Sequence, residues 1–157
     1  MKKTLSRQEI DQRVAVLKRF KELLQEQRKK FSDYLVVLET QERSIHNDNI
    51  DALVHHTELE QSIIGDIFTI QKVIDPIEEM YRFGMPDKDD TEVVKLKSDL
   101  DKLQVQVIDQ NKKNRELLQS RIADLRQEMI SIKPDYRYTV QALLKQESPA
   151  GLVDISI

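Results

Sequence analysis

Side chains suited to catalysis or metal binding are few in this chain of 157 residues, which contains three His and no Cys. A helical metal site wants His ligands four apart on one face, joined by a Cys or a carboxylate. His46, His55 and His56 lack that spacing, and adjacent helical residues point about 100° apart. The three are therefore expected to be ordinary surface side chains, with no metal site. The run Asp87-Lys88-Asp89-Asp90-Thr91-Glu92 begins like a calcium loop. It fails at the sixth position, where Glu92 replaces the Gly of the sharp turn, and at the twelfth, where Ser98 replaces the bidentate Glu. These acids read as loop carboxylates near the positive end of a helix. With no glycine-rich phosphate loop, nucleophile elbow or Cys–His pair, neither catalysis nor a cofactor is expected.

Asn111 and Asn114 are the most informative polar residues, because they fall on an otherwise apolar helical stripe. That stripe runs Val93, Leu96, Leu100, Leu103, Val107, Asn111, Asn114, Leu118, Ile122, Leu125, Met129, Ile132. Asparagines in a helical seam sacrifice stability to fix register. They also suit a second role, lining an opening where a partner helix docks above an apolar floor of Leu117, Leu118, Ile122, Leu125 and Met129. Periodicity alone favours register over docking.

The helices that carry these residues follow from pattern and composition. Only three Gly and four Pro occur, against roughly 12% combined in average proteins, and charged residues make up 34%. That composition suits long helices packed along narrow seams and argues against sheet turns. Ser6-Arg7-Gln8-Glu9 has the form of a capping box. The seam after it runs Ile10, Val14, Leu17, Lys21, Leu24, Arg28, Phe31, Leu35, Leu38, Glu42, Ile45. His46-Asn47-Asp48-Asn49 then reads as a turn, with Asp48 or Asn49 capping a second helix. Its seam runs Leu59, Ile63, Ile67, Ile70, Ile74, Ile77, Tyr81, with an irregular step near Ile63. Pro76 predicts a kink or a restart there, with Asp75 as a fresh cap.

Phe83 to Asp90 reads as a loop, Asp90 or Thr91 caps the third helix, and Pro134 stops it. The predicted fold is all-α, an elongated antiparallel bundle or coiled coil of three long helices, the second kinked. A bundle domain of residues 1–134 is followed by a flexible tail, 135–157, with a short amphipathic turn around Val140, Leu143 and Leu144.

Charge is unevenly spread. Residues 1–30 carry 10 basic and 4 acidic groups, and residues 31–92 carry 4 and 15. The basic start lacks interleaved aromatics for base stacking, so a solvated helix face is preferred to nucleic-acid binding. No run of about 18 apolar residues offers a membrane span, and the first residues do not form a signal peptide. A soluble cytoplasmic protein is expected.

At Asn111-Lys112-Lys113-Asn114-Arg115-Glu116-Leu117-Leu118-Gln119 the sequence resembles the FlgN-type flagellar export chaperones, whose last long helix carries two Asn three apart followed by a Leu pair. Ile45-His46-Asn47-Asp48-Asn49-Ile50-Asp51-Ala52-Leu53 is similar to the family's turn ending in an acidic residue and Ala-Leu, and Tyr136 follows the last helix as a family tyrosine does. Arg115 stands where many members have a small residue. Arg137-Tyr138-Thr139-Val140 replaces a Gly-containing segment, so Tyr136 and Tyr138 both stand for the family tyrosine.

The resemblance implies a cytoplasmic, non-enzymatic type III export chaperone. Its cargo would be the C-terminal amphipathic helices of the hook-associated proteins at the hook–filament junction, kept from premature assembly until delivery. The cargo-binding residues would be Asn111, Asn114, Leu117, Leu118, Ile122, Leu125 and Met129, and Tyr136 or Tyr138 would dock on the cytoplasmic domain of the export gate. Its rival is a structural coiled-coil adaptor that self-associates through the same seams, and homodimers are compatible with either reading.

Overall fold

The computed structural model describes residues 4–84 and 89–132. They form three α-helices, α1 (Arg7–His46), α2 (Ile50–Gly84) and α3 (Thr91–Ile132), with no strand among the described residues. The all-α bundle is as the seams dictate. The tail 135–157 lies outside the described residues, as does most of the α2–α3 loop.

Each helix start is made by the cap that its sequence offers. The Ser6 backbone N–H donates to Glu9 Oε2 at 2.7 Å, and the Glu9 N–H donates to Ser6 Oγ at 3.2 Å, a complete capping box. Asn49 Oδ1 accepts from the Ala52 N–H at the head of α2. Asp90 Oδ1 accepts from the N–H groups of Glu92 and Val93 at the head of α3. α1 ends in a Schellman turn, with the Asn49 N–H on the Ser44 carbonyl and the Asp48 N–H on that of Ile45. The left-handed position there is filled by Asp48, at φ 54°, and not by Gly.

Pro76 neither ends α2 nor restarts it: the helix runs from Ile50 to Gly84 with Pro76 inside. Asp75, expected as a fresh cap, instead accepts from Gln71 Nε2 one turn back at 2.8 Å. Proline's missing N–H costs one backbone bond, and the apolar seam on either side, Ile70 and Ile74 before it and Tyr81 after it, keeps the helix packed through the gap.

The helices contribute to two compact units, Met1–Tyr34 with Ser62–Gln106, and Leu35–Gln61 with Val107–Ile157. In the first, Phe20 and Tyr81 pack with ring centroids 5.0 Å apart, and Gln27 Nε2 donates to the Ile67 carbonyl at 3.1 Å. Rising numbers on α1 meet falling numbers on α2, so the two are antiparallel. Lys21 pairs with Glu92 and Arg28 with Asp99, so α3 runs parallel to α1. In the second unit the same parallel relation appears in Lys113–Glu42 and Arg121–Asp48.

These contacts explain the polar slots of the α1 seam. Lys21, Arg28 and Glu42 interrupt the apolar pattern because they face charged or amide partners on α3. The residues that close the core beside them are one row over: Phe20, Gln27, Tyr34 and Gln41, seven apart and all buried. The expected α1 seam is correct at Leu24, Phe31, Leu38 and Ile45 but not at its start, where Ile10 is 47% and Val14 61% exposed. On α2 the irregular step is absent: Leu59 lies outside, and the seam runs Glu60, Ile67, Ile74, Tyr81 at steps of seven.

Candidate functional site

α3 carries every predicted docking residue that lies within the described residues, and the structure divides them into three groups along the second unit. Asn114 is fully buried. Its Nδ2 donates to the Leu38 carbonyl at 2.7 Å and to Gln41 Oε1 at 3.0 Å, and its Oδ1 accepts from Gln110 Nε2 at 2.8 Å. Asn111 is buried one turn earlier. Leu117, Leu118 and Ile122 are half-buried, whereas Leu125 is 40%, Met129 53% and Ile132 76% exposed.

The expectation of one continuous open floor from Asn111 to Met129 is therefore corrected. α1 lies beside α3 as far as the turn, where Arg121 Nε and Nη2 grip the Asp48 carboxylate at 2.6 and 2.5 Å. Up to that level the α3 stripe meets its own partners. From Leu125 the same stripe continues without cover among the described residues. At the head of α2, in the same unit, Ile50 and Val54 are 71% and 57% exposed.

Electrostatics tie the closed part together. Gln110 Nε2 also donates to Glu42 Oε2 at 2.6 Å, and the Lys113 ammonium sits 2.7 Å from Glu42 Oε1. Lys113 and then Gln110 hold the Glu42 carboxyl below the usual carboxylate range. The Arg121 guanidinium does the same for Asp48. Both pairs join α3 to the C-terminal part of α1 and its turn.

One histidine departs from expectation. His46 and His55 are exposed, but His56 is half-buried, with its Nδ1 buried and without a hydrogen-bond partner. Burial first, and the neighbouring His55 second, push its pKa below the ordinary 6.5. Glu60, one turn further along α2, is fully buried. Steps of seven back from Ile67 and Tyr81 would have found Glu60, had an acid been admitted as a seam residue. Among the described residues no three His, Cys, Asp or Glu side chains converge as metal ligands, and no helix is long and apolar enough to cross a membrane. Tyr136 and Tyr138 lie outside the described residues.

No family model matches the sequence. No solved structure matches it either. The chain is 42% identical over 128 residues, 80% of each chain, to an uncharacterized protein of Treponema pallidum (strain Nichols). Identity of that extent over that much of both chains means that this protein belongs to the same family as the Treponema pallidum protein.

Proposed function

We propose that the protein is a cytoplasmic flagellar export chaperone of the FlgN type, a binding protein without enzymatic activity. It would hold the C-terminal amphipathic helices of hook-associated proteins and deliver them to the cytoplasmic domain of the export gate. The observation that carries this reading is the run Leu125, Met129, Ile132 on α3. It continues the stripe that is buried higher up, yet it is exposed. An amphipathic client helix supplies the apolar face that such a stripe lacks, read through anchors at helical spacing. Arg121 and Asp48 mark where the cover by α1 ends, and half-buried Ile122 leads from there into the exposed run. Tyr136 and Tyr138 are the proposed gate-docking side chains, since an aromatic on a tail fills a pocket at low entropic cost.

The inward bonding of Asn114 favours a second reading, a coiled-coil adaptor that self-associates and takes no client. Here the asparagine does only what register requires.

Titration with a synthetic C-terminal helix of a hook-associated protein tests the proposal. Replacing both Leu125 and Met129 by Glu should abolish capture while helicity measured by circular dichroism is retained, because both side chains are already at the surface. Unchanged affinity would remove the docking site from these residues.

A further inference from the structure

The two compact units differ sharply in what they bury. Among the described residues, the unit of Met1–Tyr34 and Ser62–Gln106 buries thirteen apolar side chains, four of them Phe or Tyr, against one polar side chain, Gln27. The unit of Leu35–Gln61 and Val107–Ile157 buries three, Leu38, Ile45 and Val107, against five polar ones: Gln41, Ser44, Glu60, Asn111 and Asn114. A buried aliphatic or aromatic side chain stabilises in proportion to the area withdrawn from water. A buried amide mostly exchanges bonds with water for bonds with protein, so its net contribution is much smaller.

We infer that the polar-cored unit opens by itself, before the apolar-cored one, and that this opening is how Asn111 and Asn114 reach a partner helix. The hydrogen bonds that close this unit show what the opened state would offer. Parting α3 from α1 frees the Asn114 amide from the Leu38 carbonyl and Gln41, and frees Gln110 from Glu42. It also bares Leu38, Ile45 and Val107. The result is an apolar strip studded with amides, continuous with Leu125 and Met129 on α3, and complementary to a helix that is apolar along one face with a few polar side chains on it. Cooperative units of low stability within a native protein are where binding segments are commonly found. The opening is a property of the chain alone. Its part in capture rests on the chaperone reading above.

Hydrogen exchange read by mass spectrometry on the full chain, without partner, tests the opening. Amides of residues 38–60 and 107–121 should exchange roughly 30- to 100-fold faster than those of residues 64–81 and 93–100. Equal protection in the two sets would overturn the inference. Replacing Gln41 and Asn114 together by Leu removes both members of one bonded pair and buries two apolar side chains in their place, which should shrink the gap about tenfold or more. Ser44→Ala, a smaller change, should move the gap in the same direction. A gap untouched by either variant would show that the polar layer is not its cause. Adding the synthetic hook-associated helix separates the two claims. Slowed exchange in 38–60 and 107–121 supports capture through opening, and binding without slowing overturns that role. A gap with no binding refutes the chaperone reading and the capture role together, and leaves the opening standing.

Discussion

At the scale of single residues, buried polar groups decide more than the exposed ones. Asn114 seats α3 against α1 through two hydrogen bonds, to the Leu38 carbonyl and Gln41 Oε1, and both are lost if the helices slip by one residue, while Gln110 on α3 steadies its amide oxygen. His56, half-buried on α2, is the histidine whose proton affinity burial lowers. Its folded pKa is depressed, so the unfolded chain binds the proton more tightly. The stability this confers is present above the ordinary histidine pKa and is lost as pH falls through it toward the depressed value. We therefore expect the urea midpoint to fall as pH is lowered through about 6.5, and His56→Gln to flatten that slope. Parallel slopes in the wild type and the variant would place the titration elsewhere. Glu42 acts lower: its depressed pKa adds stability above the normal glutamate range that is lost on further acidification.

At the scale of elements, caps and interhelical ion pairs set where each helix begins and how its neighbour lies. Asp90 combines both functions. Its carboxylate caps α3 through Glu92 and Val93, its backbone N–H donates to Tyr81 Oη at 2.8 Å, and Lys21 on α1 lies 3.2 Å from its Oδ1. Asp90→Ala should destabilise the chain by about 1 kcal/mol. Asp90→Asn, which keeps the cap and loses the charge, should cost only a few tenths because the Lys21 pair is partly solvent-exposed. Urea denaturation of the two variants checks the order. Glu78 shows the same competition of burial and charge. Partial burial raises its pKa, but the ammonium of Lys97 and the guanidinium of Arg82 outweigh it and leave the carboxyl below its usual range.

At the scale of the molecule, two units with unlike interiors share three continuous helices, so one chain combines a firm part with a looser one. The carrier and scaffold readings part here as well. A carrier that leaves its stripe for a client should sediment without growing beyond a dimer as concentration rises. A scaffold should climb steadily to a stable higher oligomer. Sedimentation velocity across a wide concentration range separates them before any client is added. Homology to the Treponema pallidum protein sets the family and leaves this question to experiment.

Much of this architecture was legible in the chain because helical seams and caps are local. Ser6-Arg7-Gln8-Glu9, Asn49 and Asp90 start helices through bonds spanning two or three residues. The α3 stripe from Val93 to Asn114 is buried where its period puts it, apart from half-buried Leu103. The packing fixed what depends on neighbours distant in sequence. Periodicity gives a helix one best face, but a helix in a three-helix bundle meets two partners, so Phe20, Leu23 and Tyr34 form a second row that one seam could not reveal. For the same reason the pattern could not say where the α3 stripe stops being covered. Leu118 and Met129 are alike to a periodicity argument, and only the position of the α1–α2 turn, held by Asp48 and Arg121, half-buries the first and leaves the second at the surface.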